Sequence, residues 1–114
     1  MEIKTEKYSV EYIRNDREIT FKGILRLIGK DEHREIFELL TEAANDTTGL
    51  PLTLDMSKLQ FLNSSGISSL SMFIIKMRQL DKDITILGSN SIPWQSKSLR
   101  NFQKLYKKVV ITFS

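Results

Sequence analysis

The chain has 114 residues, of which 40% are hydrophobic and 27% charged, and its formal net charge is +3. This is the size of one domain, which we expect to span residues 1–114, and the composition excludes collagen-like and disordered classes. The absence of cysteine excludes disulfide scaffolds and thiol nucleophiles, and one histidine leaves no multi-histidine site, so we expect neither a metal nor a cofactor.

The N-terminal third predicts a β-hairpin followed by a helix. Apolar residues alternate with polar ones over Tyr8–Ile13 and again from Ile19 to Gly23, and a turn at Arg14–Arg17 joins the two runs. The stretch Gly23–Ile28 either continues or bends the second strand, because glycine often marks a bulge. Apolar residues then recur at helical spacing, which predicts an amphipathic helix over 31–45.

The rest of the chain alternates between strands and helices. Pro51–Met56 is an apolar run of strand length, and a helix is predicted from about Ser64 to Leu80. The runs Ile84–Leu87 and Val109–Phe113 predict two further strands, separated by a helix with Leu99, Phe102 and Leu105 on one face. This order predicts an α/β fold with a mixed, largely parallel sheet packed against helices.

No apolar run approaches the roughly 20 residues that cross a bilayer, and the N-terminus lacks the apolar core of a secretory signal. We therefore expect a cytoplasmic domain without a membrane partner. His33 lies in a charged helix start, where we expect a solvated surface residue. One histidine also rules out a Ser-His-Asp triad, and no phosphate-binding glycine loop is present, so the residues favour a non-enzymatic role.

The segment Asn63–Gly66 is the most informative motif. Asn63 or Ser64 can cap the predicted helix, and a phosphate on a serine there would lie beside unpaired backbone N–H groups. Met72 points away from the main apolar stripe of that helix and is expected in an exposed partner patch.

This segment and its flanks resemble the STAS domain, the anti-sigma factor antagonist fold of bacterial partner switching. The family's apolar strand ending in Asp is matched by Leu52–Asp55, its apolar pair by Phe61–Leu62, and its Asp-Ser-Ser-Gly helix start by Asn63–Gly66. Gly23–Leu25 is similar to the family's Gly-x-Leu, and Ile84–Gly88 to its next strand and glycine.

The resemblance implies a STAS-like fold and a regulatory protein that binds protein partners: a serine kinase of the anti-sigma factor type, and a phosphatase. The residue it implies for phosphorylation is Ser65, with Ser64 as second choice. Two positions depart from the family pattern: Asn63 replaces the usual Asp, and Arg26 replaces an acidic residue that often follows Gly-x-Leu. The partner-binding residues implied are Asn63, Ser64, Ser65, Gly66 and Met72.

Two alternatives stay open. Residues 56–114 hold nine Lys or Arg against two Asp or Glu, a charge excess that suggests nucleic acid or another polyanion as partner. The second alternative is a small ligand or nucleotide at the helix start. The polyanion alternative would bind through closely spaced basic residues of the C-terminal part, which are Lys97, Arg100, Lys104, Lys107 and Lys108.

Overall fold

The computed structural model describes residues 1–46 and 49–114. In these residues the chain forms a mixed α/β structure with a six-stranded sheet and three α-helices. The strands are β1 (Glu2–Lys4), β2 (Tyr8–Ile13), β3 (Glu18–Leu25), β4 (Leu52–Leu62), β5 (Ile84–Gly88) and β6 (Val109–Phe113). The helices are α1 (Lys30–Asp46), α2 (Ser64–Gln79) and α3 (Pro93–Leu105).

The sheet follows chain order from β1 to β6. Strands β1, β2 and β3 are antiparallel neighbours, whereas β3, β4, β5 and β6 run parallel and are joined through the three helices. The largely parallel sheet predicted from the alternating pattern is therefore confirmed. The short strand β1 was not predicted, because it contains one apolar residue and owes its conformation to pairing with β2.

The helices cover one face of the sheet. Alternate strand residues such as Phe21, Leu54 and Ile86 are fully buried, and the intervening residues are exposed or half-buried. These buried side chains form one cluster with the apolar stripes of the helices, which include Leu40 of α1 and Phe73 of α2. The predicted helices over 31–45 and from Ser64 are confirmed to within one residue at each end.

Gly23 is confirmed as the site of an irregularity in β3. Its φ is +92°, and a Cβ atom there would lie 2.2 Å from the carbonyl oxygen of Lys7. The pairing with β4 shifts register between Gly23 and Ile24. After this shift Ile24 and Leu25 pair with Phe61 and Leu62, so the strand continues past the irregularity to Leu25.

Strand β4 is longer than the predicted run, which ended at Met56. Its first part pairs with β5 only as far as Asp55, and beyond that point the edge facing β5 has no strand partner. Side chains from the first turn of α3 satisfy this edge instead. Gln95 Nε2 donates to the carbonyl oxygens of Met56 and Leu59 at 2.6 and 3.0 Å, and Gln95 Oε1 accepts from Ser89 N at 2.7 Å.

Trp94 completes this edge. Its indole N–H donates to the carbonyl oxygens of Leu59 and Gln60 at 3.2 and 3.0 Å, while its ring packs on the core. Beyond Met56 the strand also pairs with β3 in a shifted register. Neither this shifted pairing nor hydrogen bonds from distant side chains can be predicted from strand periodicity, so the prediction stopped too early. No helix of the described residues is long and apolar enough to cross a membrane.

We predict that Gln95→Leu lowers the free energy of unfolding by about 2–4 kcal/mol, because it leaves the buried Met56 O and the half-buried Ser89 N without the hydrogen bonds of Gln95. Urea denaturation checks this value. Gln103→Leu is the matched control, because Gln103 is exposed on the same helix and donates one bond, to Val109 O. Equal losses for the two variants would contradict the role assigned to Gln95.

Candidate functional site

Asn63 joins the start of α2 to the segment between β3 and α1. Its Oδ1 accepts hydrogen bonds from Gly66 N at 2.9 Å and from Leu27 N at 3.2 Å. Its Nδ2 donates to Leu27 O at 3.1 Å. The amide therefore caps α2 and also pairs with both backbone groups of Leu27, and a carboxylate could not make the last of these bonds.

Gly66 makes this cap possible because it has no side chain. An added Cβ atom would lie 2.4 Å from Leu62 Cδ1 and 3.0 Å from the Asn63 oxygen. Gly66 is buried and Asn63 is half-buried. Of the residues expected to bind a partner, these two shape the backbone of the α2 start, whereas Ser64, Ser65 and Met72 are exposed.

Ser64 and Ser65 are both exposed in the first turn of α2. Ser65 faces a groove between α1 and α2, with a volume of about 660 Å³, which we call the interhelical groove. Ser64 is not among the residues that line it. The lining residues are Lys30, His33, Arg34, Phe37, Glu38, Ser65, Ser68, Ser69 and Met72.

His33 is half-buried at the floor of this groove, where a fully solvated residue was expected. Its Nδ1 atom hydrogen-bonds the Ser69 hydroxyl. One turn further along, the rings of Phe37 and Phe73 pack edge to face with centroids 6.4 Å apart. These two contacts hold α1 against α2, so the groove has a defined shape on both sides.

Exposed apolar side chains lie in the third turn of α2, in the segment before α1 and at the end of β4. Met72 is 63% exposed, as its position off the apolar stripe predicted. Ile28 is 82% exposed in the segment before α1, and Phe61 lies at the end of β4 with the Arg26 guanidinium 4.9 Å from its ring centroid. The exposure of Ile28 was not predicted, because Ile28 ends an apolar run, Gly23–Ile28, that is compatible with a continuing strand.

Both departures from the STAS pattern thus have local roles in this fold. Asn63 supplies the amide donor to Leu27, and Arg26 covers the ring of Phe61. Asp55, which matched the Asp at the end of the family's strand, lies within β4. Its carboxylate accepts from the backbone N–H and the hydroxyl of Ser57 at 3.0 and 2.7 Å.

A second groove lies on the opposite side of α1. Tyr8, Ile24 and Ile28 line it together with the carboxylates of Glu32 and Glu35. Burial, followed by the charges of Glu32 and Glu35, raises the pKa of the Tyr8 hydroxyl above its usual value. Glu32 and Glu35 thus face this groove, away from Ser65, whereas Glu38 of the same helix lines the interhelical groove.

The basic residues of the polyanion hypothesis lie on and just after α3. All five, Lys97, Arg100, Lys104, Lys107 and Lys108, are exposed. Lys108 pairs with Asp81 at 2.6 Å, and the Arg100 guanidinium lies over the Phe113 ring. Polyanion binding and small-ligand binding at the helix start both stay predictions. Among the residues that the structure describes, no group of three His, Cys, Asp or Glu could hold a metal ion.

Two solved structures resemble the whole fold. A chain from the crystal structure of the diguanylate cyclase SiaD in complex with its activator SiaC, from Pseudomonas aeruginosa, matches with a TM-score of 0.74 and 14% identity, covering 100% of this chain and 99% of that one. Apo-SiaC from the same organism matches with a TM-score of 0.70 and 11% identity, covering 98% of each chain. No protein-family model and no curated protein sequence matches. At these identities the likeness establishes the fold.

We predict that Asn63→Asp destabilises the protein by about 1–2 kcal/mol, although aspartate is an equally good helix cap. The substitution removes the donor to Leu27 O and places a carboxylate oxygen close to that carbonyl oxygen. Urea denaturation at pH 7 measures the loss.

Asn101→Asp provides the control, since it introduces the same charge at an exposed position of α3. If the Asn63→Asp protein is as stable as this control, the hydrogen bond from the Asn63 amide to Leu27 O contributes nothing to stability.

Proposed function

We propose that the protein is a non-enzymatic regulator of the STAS type that acts by binding a protein partner at the α2 start and the interhelical groove. In this proposal phosphorylation of Ser65 controls the binding. The partner is a serine kinase of the anti-sigma factor type, and a phosphatase reverses the modification.

The observation that carries the proposal is the exposure of Ser65 beside an apolar surface. Ser65 is accessible to a kinase, and it lines the same groove as the exposed Met72. Exposed apolar side chains next to a polar rim are typical of protein interaction sites. A phosphate on Ser65 would place close to two negative charges at the edge of this surface.

The comparisons support a binding role in coarser terms. The protein of similar fold is described as the activator of a diguanylate cyclase and is found in complex with that cyclase. Binding a partner to change its activity is a role that needs no catalytic residues in the regulator itself. We extend that role to this chain on the basis of the exposed surface around Ser65.

We predict that serine kinases from the same genome phosphorylate Ser65, and that mass spectrometry maps the phosphate to this residue. The Ser65→Ala variant should lose the modification, while Ser64→Ala should keep it. Absence of phosphate on Ser65, together with unchanged kinase binding by Ser65→Asp, would overturn the proposal.

We further predict that Met72→Glu weakens binding of that kinase at least tenfold, which corresponds to about 1.4 kcal/mol. Burying a carboxylate in an apolar contact is unfavourable unless it is paired. Isothermal titration calorimetry measures the affinity. Leu80→Glu is the matched control, because Leu80 is 56% exposed just beyond the far end of the same helix. Similar losses of kinase affinity in both variants would show that the kinase does not bind at Met72.

A further inference from the structure

Helices α1 and α2 lie side by side in a constant register. Three contacts link them or the residues just before them: Leu27 with Asn63, His33 with Ser69, and Phe37 with Phe73. Each pair is separated by 36 residues in the sequence. The helices therefore run in the same direction, and residues of α1 lie opposite residues of α2 at this fixed offset.

The register brings a cation to Ser65. At the same offset, Lys30 lies opposite Gly66, the residue next to Ser65, and one turn further Arg34 lines the same groove. The α1 acids Glu32 and Glu35 line the groove on the other side of the helix, with Tyr8. Glu38 is the one carboxylate among the described residues that line the interhelical groove, and it lies two turns along α1 from Lys30.

Arg34 is available to a stronger anion. It pairs with Asp31 at 2.7 Å, but the two side chains are 64% and 83% exposed. Ion pairs this exposed contribute little to stability, whereas a phosphate dianion offers an arginine two charges and several acceptor oxygens. The guanidinium can therefore exchange Asp31 for a phosphate without a large loss.

We infer that a phosphate group carried by Ser65 is bound within the same chain by Lys30 and Arg34, which rests on the proposed modification of Ser65. The bound phosphate links α2 to α1 across the interhelical groove. It also takes the two cations away from any partner and covers the approach to Met72. The modified chain thereby closes its own docking surface, in addition to presenting a repulsive charge.

The test installs phosphoserine at position 65 of the full chain by genetic code expansion, so no kinase is needed. The phosphate is titrated by ³¹P NMR. Phosphoserine at position 64 is the reference, because it lies in the same first turn of α2 but outside the groove. We expect the second pKa of the phosphate at position 65 to be lower by about 1 unit, because nearby cations favour the dianion.

The substitutions Lys30→Met and Arg34→Met should together raise the pKa of the phosphate at position 65 to that of the reference and leave the reference unchanged. Lys22→Met, which removes an exposed cation from β3, should change the pKa of neither phosphate. If the second pKa of the phosphate at position 65 is unchanged by Lys30→Met and Arg34→Met, the inference is overturned.

A thermal melt gives a second readout. Phosphorylation at position 65 should raise the melting temperature of the wild-type chain more than that of the Lys30→Met, Arg34→Met variant, and equal shifts would contradict the inference. A captured phosphate that leaves kinase affinity unchanged would instead refute the proposed function alone. If phosphorylation abolishes kinase binding but Lys30 and Arg34 do not bind the phosphate, only the inference is refuted.

Discussion

The geometry of the site depends on one side-chain amide. Asn63 accepts from Gly66 and exchanges hydrogen bonds with both backbone groups of Leu27, so the start of α2 and the segment leading into α1 are held as one unit. Each buried backbone group needs a partner, and here one short side chain serves three of them. The register of the two helices, and with it the shape of the interhelical groove, follows from this contact.

The first turn of α3 plays a comparable part on the other side of β4. Beyond Asp55 this strand has lost β5 as a neighbour, and Gln95 and Trp94 pair with its carbonyl groups. On its other edge this part of β4 pairs with β3 as far as Leu62, after which α2 follows. Strand pairing on one edge and side chains on the other thus hold it in extended conformation. A fully buried glutamine is acceptable there because its amide is engaged at both ends.

Charge is separated around α1. Lys30 and Arg34 face α2 and Ser65, whereas Glu32 and Glu35 face β2 and the Tyr8 hydroxyl. The interhelical groove beside Ser65 is therefore lined by two cations of α1, by apolar side chains and by one carboxylate of α1, Glu38. In the proposed function, a phosphate on the exposed Ser65 alters binding through electrostatics, without any change in the core.

The sequence by itself determined the order of most elements, the bounds of α1 and α2, the bulge at Gly23 and the exposure of Met72, because these follow from local periodicity and from the special conformation of glycine. Tertiary structure alone decided the length of β4, the partners of Asn63 and the burial of His33. Each of these depends on a residue 34 or more positions away in the chain. Periodicity predicts which face of an element is buried, but it does not predict which distant side chain hydrogen-bonds a backbone group that has no partner within its own element.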